Sequence, residues 1–428
     1  MTVNIITLGC SKNLVDSEHL LSQFRAAGYR VLHDEQDTGA DLVIINTCGF
    51  ILDAKEESIG TIMHYIGEKR DGNLEKLFVM GCLSERYREE LKSELPEVDG
   101  FFGVWEMARI LEEAGTSLDR KLLTERIVTT PSHYAYLKVS EGCNRTCAFC
   151  SIPGIRGKQQ SISIDQLVTE SRSLVQGGVK ELILIAQDLT NYGIDIYQYR
   201  ALADLLRELV KIDGLEWIRL HYAYPTGFPE EVIELMASEE KICNYMDIPI
   251  QHINDQVLSD MGRGHDREKL EKLLYQFRKR VPDVALRTTI LTGFPGETEE
   301  AFKELLEFLS EFRFDRLGVF PYSHEEDTPS HLRFKDDIPE KLKHKRAEAV
   351  MELQQGISLQ LNESRIGKTF KVLIDRNEGN YYIGRTQYDS PEVDNEVMIP
   401  NDQKLVIGNF YQVTITEAAE FDLFGRIE

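Results

Sequence analysis

The stretch CNRTCAFC, residues 143–150, places three cysteines, Cys143, Cys147 and Cys150, within eight residues. A cubane iron–sulfur cluster has four irons, each of which needs a ligand, and cysteine thiolates normally supply those ligands. Three cysteines at this spacing can bind three corners of one cube and leave the fourth iron open to a substrate or cofactor. The spacing therefore predicts a catalytic cluster rather than a passive electron relay.

A structural zinc site is the alternative interpretation of the same cysteines. Zinc usually takes four ligands from paired CxxC motifs or from CxxC followed by a spaced pair of histidines. Neither a second CxxC nor a suitably spaced His pair follows residue 150. The pattern favours the cluster over zinc.

Composition is that of a globular protein that works in a reducing compartment. The chain has 428 residues, 42% hydrophobic and 28% charged, with a net charge of −23, which suits about three domains. The start, MTVNIITLGCSKN, lacks the pattern of a secretory signal, and no run of 18 apolar residues predicts a membrane span. Seven cysteines without such a signal indicate thiols that serve metals or catalysis in the cytoplasm.

Three further cysteines follow predicted strands in residues 1–125. NIITLG, DLVIINT and KLFVMG lead to Cys10, Cys48 and Cys82, and amphipathic helices come between them. Strand–helix alternation predicts a parallel sheet covered on both faces, a three-layer α/β domain. Since parallel strands end at one edge, the three cysteines should converge there, where open α/β sheets bind ligands. A second three-cysteine cluster is favoured over the alternative, packed core thiols.

The middle of the chain repeats a strand–helix unit six times. After a linker at 126–133, apolar strands recur every 25 to 40 residues through 134–335, which predicts a partial (β/α)6 barrel. Active-site residues of such barrels lie at the carboxyl ends of the strands. CNRTCAFC follows the first strand, Gln187 ends ELILIAQD, and Gln251 with His252 ends MDIPIQH. Hydrogen bonding within loops is the alternative role for the last three.

The carboxyl-terminal part changes character twice. Residues 336–365 are charged and predict a connecting helix, and residues 366–428 predict a small five-stranded β-barrel of the oligonucleotide-binding type. Cys243 lies outside every motif and is expected to be a packed core thiol.

CxxxCxxC with Phe149 before its last cysteine resembles the signature of the radical S-adenosylmethionine (SAM) enzymes. With the three-cysteine α/β domain in front and a TRAM-like barrel behind, the whole chain resembles the radical SAM methylthiotransferases. The resemblance implies two 4Fe–4S clusters, one on Cys143, Cys147 and Cys150 and an auxiliary one on Cys10, Cys48 and Cys82. It also implies SAM as both methyl donor and radical source. The residues expected to border SAM are Phe149, Gln187, Gln251, Arg287 and Gly293, although Gly293 can equally serve a turn before Pro295.

Substrate divides this family into two branches. TLGCSKNLVDSE, QDLTNYGID and SPEVDNEV resemble the branch that methylthiolates the β-carbon of an aspartate in the basic small-subunit ribosomal protein twelve. The alternative is the branch that modifies an adenosine of transfer RNA. Either activity implies a reducing electron donor and a sulfur source as partners. The segment after Arg156, KQQSIS, lacks a second arginine that the family usually carries.

Charge in the last segment agrees with a protein substrate. Residues 366–428 hold six Lys and Arg against eleven Asp and Glu, a net charge of −5. A nucleic-acid-binding barrel needs a basic groove, whereas an acidic surface suits a basic protein. Nucleic acid is therefore not expected as the substrate, and Glu392, Asp394 and Glu396 are among the acidic side chains expected to face a basic partner.

Overall fold

The computed structural model describes residues 1–36 and 39–427, which form two compact units. The first unit contains residues 1–130, 136–145 and 150–173, and the second contains 131–135, 146–149 and 174–428. The division of the chain into segments at 1–125, 134–335, 336–365 and 366–428 stays a prediction.

The elements up to residue 176 include the three predicted strands, each followed by a helix, and two short strands at 30–33 and 100–101 that were not predicted. In chain order they are β1 (Thr2–Thr7), α1 (Ser11–Ala26), β2 (Arg30–His33), β3 (Leu42–Thr47), α2 (Leu52–Arg70), β4 (Lys76–Gly81), α3 (Cys82–Arg86), α4 (Arg88–Glu94), β5 (Gly100–Phe101), α5 (Met107–Glu113), β6 (Tyr134–Lys138), β7 (Ser140–Glu141), α6 (Ile152–Arg156), β8 (Gln160–Ser161) and α7 (Ile164–Gln176).

A parallel five-stranded sheet in the order β2-β1-β3-β4-β5 forms the middle layer of the first unit. Leu42 and Ile44 of β3 face a core shared with α1 and α5, while Val43 and Ile45 face a core shared with α2 and α4. A strand buried on both faces must be apolar at every position, which explains the run LVII. The predicted three-layer α/β domain is confirmed.

The remaining elements run from residue 181 to residue 427. They are β9 (Glu181–Ile185), α8 (Ile194–Tyr197), α9 (Leu202–Leu209), β10 (Trp217–Leu220), α10 (Glu230–Ser238), β11 (Ile242–Asp247), α11 (Asp255–Asp260), α12 (Arg267–Arg280), β12 (Ala285–Thr292), α13 (Glu299–Phe312), β13 (Arg316–Pro321), α14 (Pro329–Arg333), α15 (Glu340–Glu363), β14 (Thr369–Glu378), β15 (Tyr381–Thr386), β16 (Glu396–Pro400), β17 (Phe410–Ala418) and β18 (Asp422–Ile427).

The second unit contains the predicted partial barrel and the predicted small barrel. Six strands form one sheet in the order β13-β12-β11-β10-β9-β6, and the pairs from β9 to β13 are parallel. The strand expected at MDIPIQH begins earlier and ends at Asp247, because Pro249 has no N–H to donate to the sheet. After α15, strands β14 to β18 close into a five-stranded barrel, as predicted. Among the described residues, no helix has the length and apolarity needed to cross a membrane.

Buried ion pairs connect the small barrel to the first residues of the sheet strands. Glu181, at the start of β9, accepts hydrogen bonds from Arg219 at 2.7 Å and from Arg385 of the small barrel at 2.9 Å. None of the three side chains is more than 2% exposed. Two further pairs across this junction are Arg316–Asp389, which is buried, and Arg287–Asp394, in which Arg287 is 17% exposed.

The acidic residues expected at the barrel surface differ in exposure: Glu392 is exposed, Glu396 is 27% exposed and the side chain of Asp394 is buried. Asp394 was expected to face a partner, but its side chain is 1% exposed and pairs with Arg287. The exposed charges of the described part of the barrel are Glu378, Glu392, Asp402 and Glu417 against Lys368, Lys371, Arg376, Lys404 and Arg426. The partly exposed Glu396, Glu420 and Asp422 add to the acidic side, whereas Asp375, Asp389 and Asp394 pair with arginines.

Candidate functional site

Cys10, Cys48 and Cys82 meet at the carboxyl edge of the first sheet. Their strands β1, β3 and β4 are adjacent, with Thr7 beside Asn46 and Thr47 beside Gly81. Cys10 is exposed, Cys48 is half-buried, and Cys82 is buried as the first residue of α3. The predicted convergence at one sheet edge is confirmed.

Glycines allow the cysteine-bearing loops to approach one another. Gly9 has a φ of +87°, and a Cβ there would lie 2.7 Å from the Cβ of Cys48. Gly81 has a φ of +97°, and a Cβ there would lie 2.6 Å from the carbonyl oxygen of Thr47. Both distances are shorter than van der Waals contact, and both φ values favour glycine. A side chain at either position would push two cysteine loops apart.

Asn13 connects the ends of two strands by hydrogen bonds. Its Nδ2 donates to the carbonyl oxygens of Leu8 at 2.8 Å and Thr47 at 3.1 Å, just before Cys10 and Cys48 respectively. Asn46 in turn donates to the backbone oxygen of Asn13 at 2.8 Å. A buried amide with these partners holds the cysteine loops in a defined geometry.

Arg156 is a buried cation at the same edge. It is 1% exposed, and its Nε donates to the Sγ of Cys82 at 3.3 Å. The other guanidinium nitrogens contact the Oδ1 of Asn13, a carboxylate oxygen of Glu141 at 2.8 Å and one of Asp16 at 3.5 Å. The guanidinium is therefore held by three acceptors and also donates a hydrogen bond to a thiol.

Burial dominates the electrostatics of this edge. It raises the pKa of the Cys82 thiol to about 12, although Arg156 opposes that change. Burial also raises the pKa of Asp16. For Glu141 burial acts in the same direction, but Lys138 and Arg156 outweigh it and lower the pKa to about 2. Glu141 is therefore the ionised carboxylate that balances these cations.

The loop that carries Cys143, Cys147 and Cys150 is held at its ends by hydrogen bonds. The backbone N–H of Cys143 donates to the carbonyl oxygen of Gly157 at 3.0 Å. The N–H of Arg145 lies 3.4 Å from the Sγ of Cys143. Cys143 and Cys150 are both half-buried. Helix α6, which begins at Ile152, closes the loop.

Cys147 lies against a second buried arginine, within the other unit. Its Sγ is 3.4 Å from a guanidinium nitrogen of Arg263, a residue 4% exposed. Arg263 lies over the ring of Tyr224 at 4.3 Å, and the Tyr224 hydroxyl is 3.9 Å from the same sulfur. Phe149 packs against an apolar cluster that includes Ala148, buried beside it.

The two sets of thiols suit iron–sulfur clusters. Each set consists of sulfur donors alone, and in each one sulfur receives a hydrogen bond from a buried arginine. A cluster with its thiolates is anionic, and donors to its sulfurs are the usual protein partners of such a centre. No three His, Cys, Asp or Glu side chains of residues 1–36 and 39–427 converge closely enough to bind a single metal ion.

Gln187 and Gln251 lie after strands of the second sheet, as predicted. Gln251 has a φ of +70°, and its backbone is fixed by bonds of 2.9 Å with Thr289 and Leu291 of β12. Tyr222, after β10, has a φ of +61°. Residues held in this strained region are frequent at ligand sites. His252 is fully buried, and burial lowers its pKa to about 4, which indicates a neutral, structural ring.

Arg287 and Gly293 both have structural partners, and their place beside SAM stays a prediction. Arg287 is the third residue of β12, far from the strand's carboxyl end, and pairs with Asp247 and Asp394 at 3.3 Å each. It therefore supports the junction with the small barrel. Gly293 has a φ of +77°, and a Cβ there would lie 2.3 Å from the Cγ of Lys343. The turn and this close approach account for the glycine.

One further sequence prediction is confirmed, and two residues of the site were not predicted. Cys243 is fully buried beside Trp217 and Tyr245, as expected of a core thiol. Sequence reasoning did not identify Asn13 or Arg263 as site residues. Asn13 lies three residues after Cys10, and this closeness in sequence was the only indication of its role at the site. Arg263 lies 113 residues beyond Cys150, so no local pattern could connect it with the loop.

Three family models match the chain. The model of the Radical SAM superfamily matches residues 137–309. The model described as "Uncharacterized protein family UPF0004" matches residues 2–103, and the TRAM domain model matches residues 366–427.

Curated relatives match over the full length. Proteins called ribosomal protein uS12 methylthiotransferase RimO are 53% identical in Christiangramia forsetii (99% of this chain, 94% of that protein). The corresponding values are 54% in Flavobacterium psychrophilum (99% and 97%) and 52% in Bacteroides fragilis (100% and 99%).

Solved structures share the fold at low identity. The radical SAM methyltransferase TsrM of Kitasatospora setae, with cobalamin and a [4Fe-4S] cluster bound, is 15% identical with a TM-score of 0.57, covering 89% of this chain and 80% of that chain. The cobalamin-dependent SAM radical enzyme OxsB is 15% identical with a TM-score of 0.52, covering 83% of this chain and 56% of that chain.

Proposed function

The chain belongs to the RimO family of radical SAM methylthiotransferases, and we propose that its two cysteine triads hold the two 4Fe–4S clusters of that activity. Identity above 50% over essentially the whole chain carries the family assignment. The protein is an enzyme that uses SAM and iron–sulfur clusters.

We assign one cluster to Cys143, Cys147 and Cys150, and the auxiliary cluster to Cys10, Cys48 and Cys82. Convergence of three strand ends supports the auxiliary assignment. When bound, the clusters and SAM supply the electron, the radical chemistry and the methyl group that the reaction needs.

The protein's own contribution is positioning. Asn13 and the close approach at Gly9 and Gly81 hold the strand-end cysteines. Arg263 donates a hydrogen bond to the Sγ of Cys147 and so orients that ligand. We propose that Phe149, Gln187 and Gln251 border SAM, because they lie on the cysteine loop and at strand carboxyl ends. Arg287 and Gly293, which the family resemblance also places near SAM, remain in this proposed set.

The proposed substrate is an aspartate side chain of the basic ribosomal protein uS12, modified at its β-carbon. The name of the relatives supports this assignment, and the transfer-RNA alternative is not favoured. Charge on the small barrel does not carry the argument, because three of its acidic side chains, Asp375, Asp389 and Asp394, are paired with arginines. A low-potential electron donor and a sulfur source complete the proposed partners, and the cytoplasm is the proposed location.

Iron analysis tests the cluster assignment. Anaerobically reconstituted protein should contain about eight irons per chain, and replacing Cys143, Cys147 and Cys150 together by Ala should leave about four. The latter variant should form no 5′-deoxyadenosine. Replacing Cys10, Cys48 and Cys82 by Ala should preserve SAM cleavage and abolish sulfur insertion. Loss of all iron from either variant would contradict two separate clusters.

Mass spectrometry tests the substrate. Ribosomal protein uS12 from a deletion strain should lack the mass of one methylthio group, and the wild-type gene should restore it. A methylthiolated adenosine that disappears from transfer RNA in the same strain, with uS12 unchanged, would establish the alternative.

A further inference from the structure

Arg156 belongs to one triad by sequence and contacts the other in space. It ends helix α6, six residues after Cys150, yet its Nε lies 3.3 Å from the Sγ of Cys82. All of these residues are within the first unit. The Arg156 side chain therefore connects the segment that carries Cys143 and Cys150 to the site of Cys10, Cys48 and Cys82.

The environment of Arg156 is that of a fixed charge. Guanidinium remains protonated in proteins, and burying one costs several kcal/mol unless its partners compensate for lost hydration. Glu141, Asp16 and Asn13 provide that compensation, and the Oδ1 of Asn13 also lies 4.0 Å from the Sγ of Cys82. A methionine would fill the same space without this cost. The arrangement therefore places a positive charge and a hydrogen-bond donor at one ligand sulfur.

We propose that Arg156 is a positioning residue that sets the reduction potential of the auxiliary cluster through Cys82, with Glu141 opposing its charge. The proposal rests on the proposed function, because it requires a cluster on Cys10, Cys48 and Cys82. Adding an electron makes a cluster more negative, so a nearby cation and a donor to sulfur favour the reduced form.

The two residues should act with opposite signs. Arg156→Met removes the cation and the donor, and the midpoint potential of the auxiliary cluster should become more negative. Glu141→Gln removes the main counter-charge and leaves the Arg156–Cys82 contact in place, so the potential should become more positive. A purely structural role for Arg156 predicts no such pair of opposite shifts.

A redox titration followed by electron paramagnetic resonance measures these shifts. Each substitution is made in the Cys143→Ala, Cys147→Ala, Cys150→Ala background, where only the auxiliary cluster titrates. Arg126→Met is the matched control. Its side chain is 0% exposed in the same unit and pairs with Glu18 and Glu170, without contact to a cysteine, so it should leave the potential unchanged even if it lowers stability.

The outcomes separate the two proposals. If the background protein binds no iron, the auxiliary cluster itself is wrong. If iron is bound and the potentials of Arg156→Met and Glu141→Gln equal that of Arg126→Met, or move in the same direction, the role of Arg156 is wrong. Should Arg156→Met fail to hold iron, Glu141→Gln decides alone: a more positive potential supports the proposal, and an unchanged or more negative one overturns it.

Discussion

Replacing Glu181 by Gln should lower the free energy of unfolding of the second unit by more than the removal of one exposed charge does. Glu181 is fully buried and accepts hydrogen bonds from Arg219 and Arg385. The substitution keeps the shape of the side chain but leaves two buried guanidiniums without their shared carboxylate. Breaking a buried ion pair in this way costs about 3–5 kcal/mol, a large part of the roughly 5–15 kcal/mol by which folded proteins are stable.

Urea unfolding of the anaerobically purified protein measures this change. Trp217 provides the signal, because it lies at the junction, edge-on to Phe410 with ring centroids 4.8 Å apart. The matched control is Glu216→Gln. Glu216 also pairs across the junction, with Lys371 at 2.8 Å, but both side chains are more than 40% exposed, so its loss should cost at most about 1 kcal/mol.

A comparison of the two variants tests whether the buried ion pairs stabilise the junction between the small barrel and the sheet. The free energy of unfolding of Glu181→Gln should be lower than that of Glu216→Gln by at least about 2 kcal/mol. Equal unfolding free energies would refute the view that the buried pairs hold the small barrel to the sheet.

Three further substitutions test other parts of the structure. Arg263→Met should slow 5′-deoxyadenosine formation at least about tenfold, since a hydrogen bond to a charged group contributes about 1.5–3 kcal/mol; an unchanged rate would remove Arg263 from the site. Gly81→Ala should cost about 1–3 kcal/mol of backbone strain and reduce bound iron, because its Cβ would displace the Thr47 carbonyl; full iron content would contradict this. His252 has a folded pKa of about 4 and an ordinary value of 6.5, so the unfolded chain binds the proton first and stability falls as pH drops. His252→Asn should therefore remove about 2 kcal/mol of the stability lost between pH 7 and pH 5, measured by unfolding at both pH values, and an unchanged pH dependence would show that the ring is not buried neutral.

Charge counting in the small barrel did not show which of its acidic residues reach the surface. Counting charges in residues 366–428 suggested an acidic surface for a basic partner, and the relatives' name supports the same substrate. The structure pairs Asp375 and Asp389 with the buried Arg385 and Arg316, and Asp394 with the half-buried Arg287. Composition counts a charge wherever it lies, and only the fold determines whether that charge meets solvent or another side chain.

Local patterns in the sequence determined the elements and the six candidate ligands. Alternating strands and helices imply a parallel sheet, and a parallel sheet brings its strand ends to one edge, so Cys10, Cys48 and Cys82 could be placed together without coordinates. The CxxxCxxC spacing is itself local, so its three cysteines could be assigned to one site from sequence alone.

Contacts between distant residues were decided only by tertiary structure. Arg156 reaches Cys82 across 74 positions, Arg263 reaches Cys147 across 116, and Arg287 reaches Asp394 across 107. The sequence shows that an arginine is present, but the direction of its side chain depends on which carboxylates and thiols the packed core places within reach. Burial then fixes the partners of the arginine, because a guanidinium removed from water must find its acceptors inside the protein.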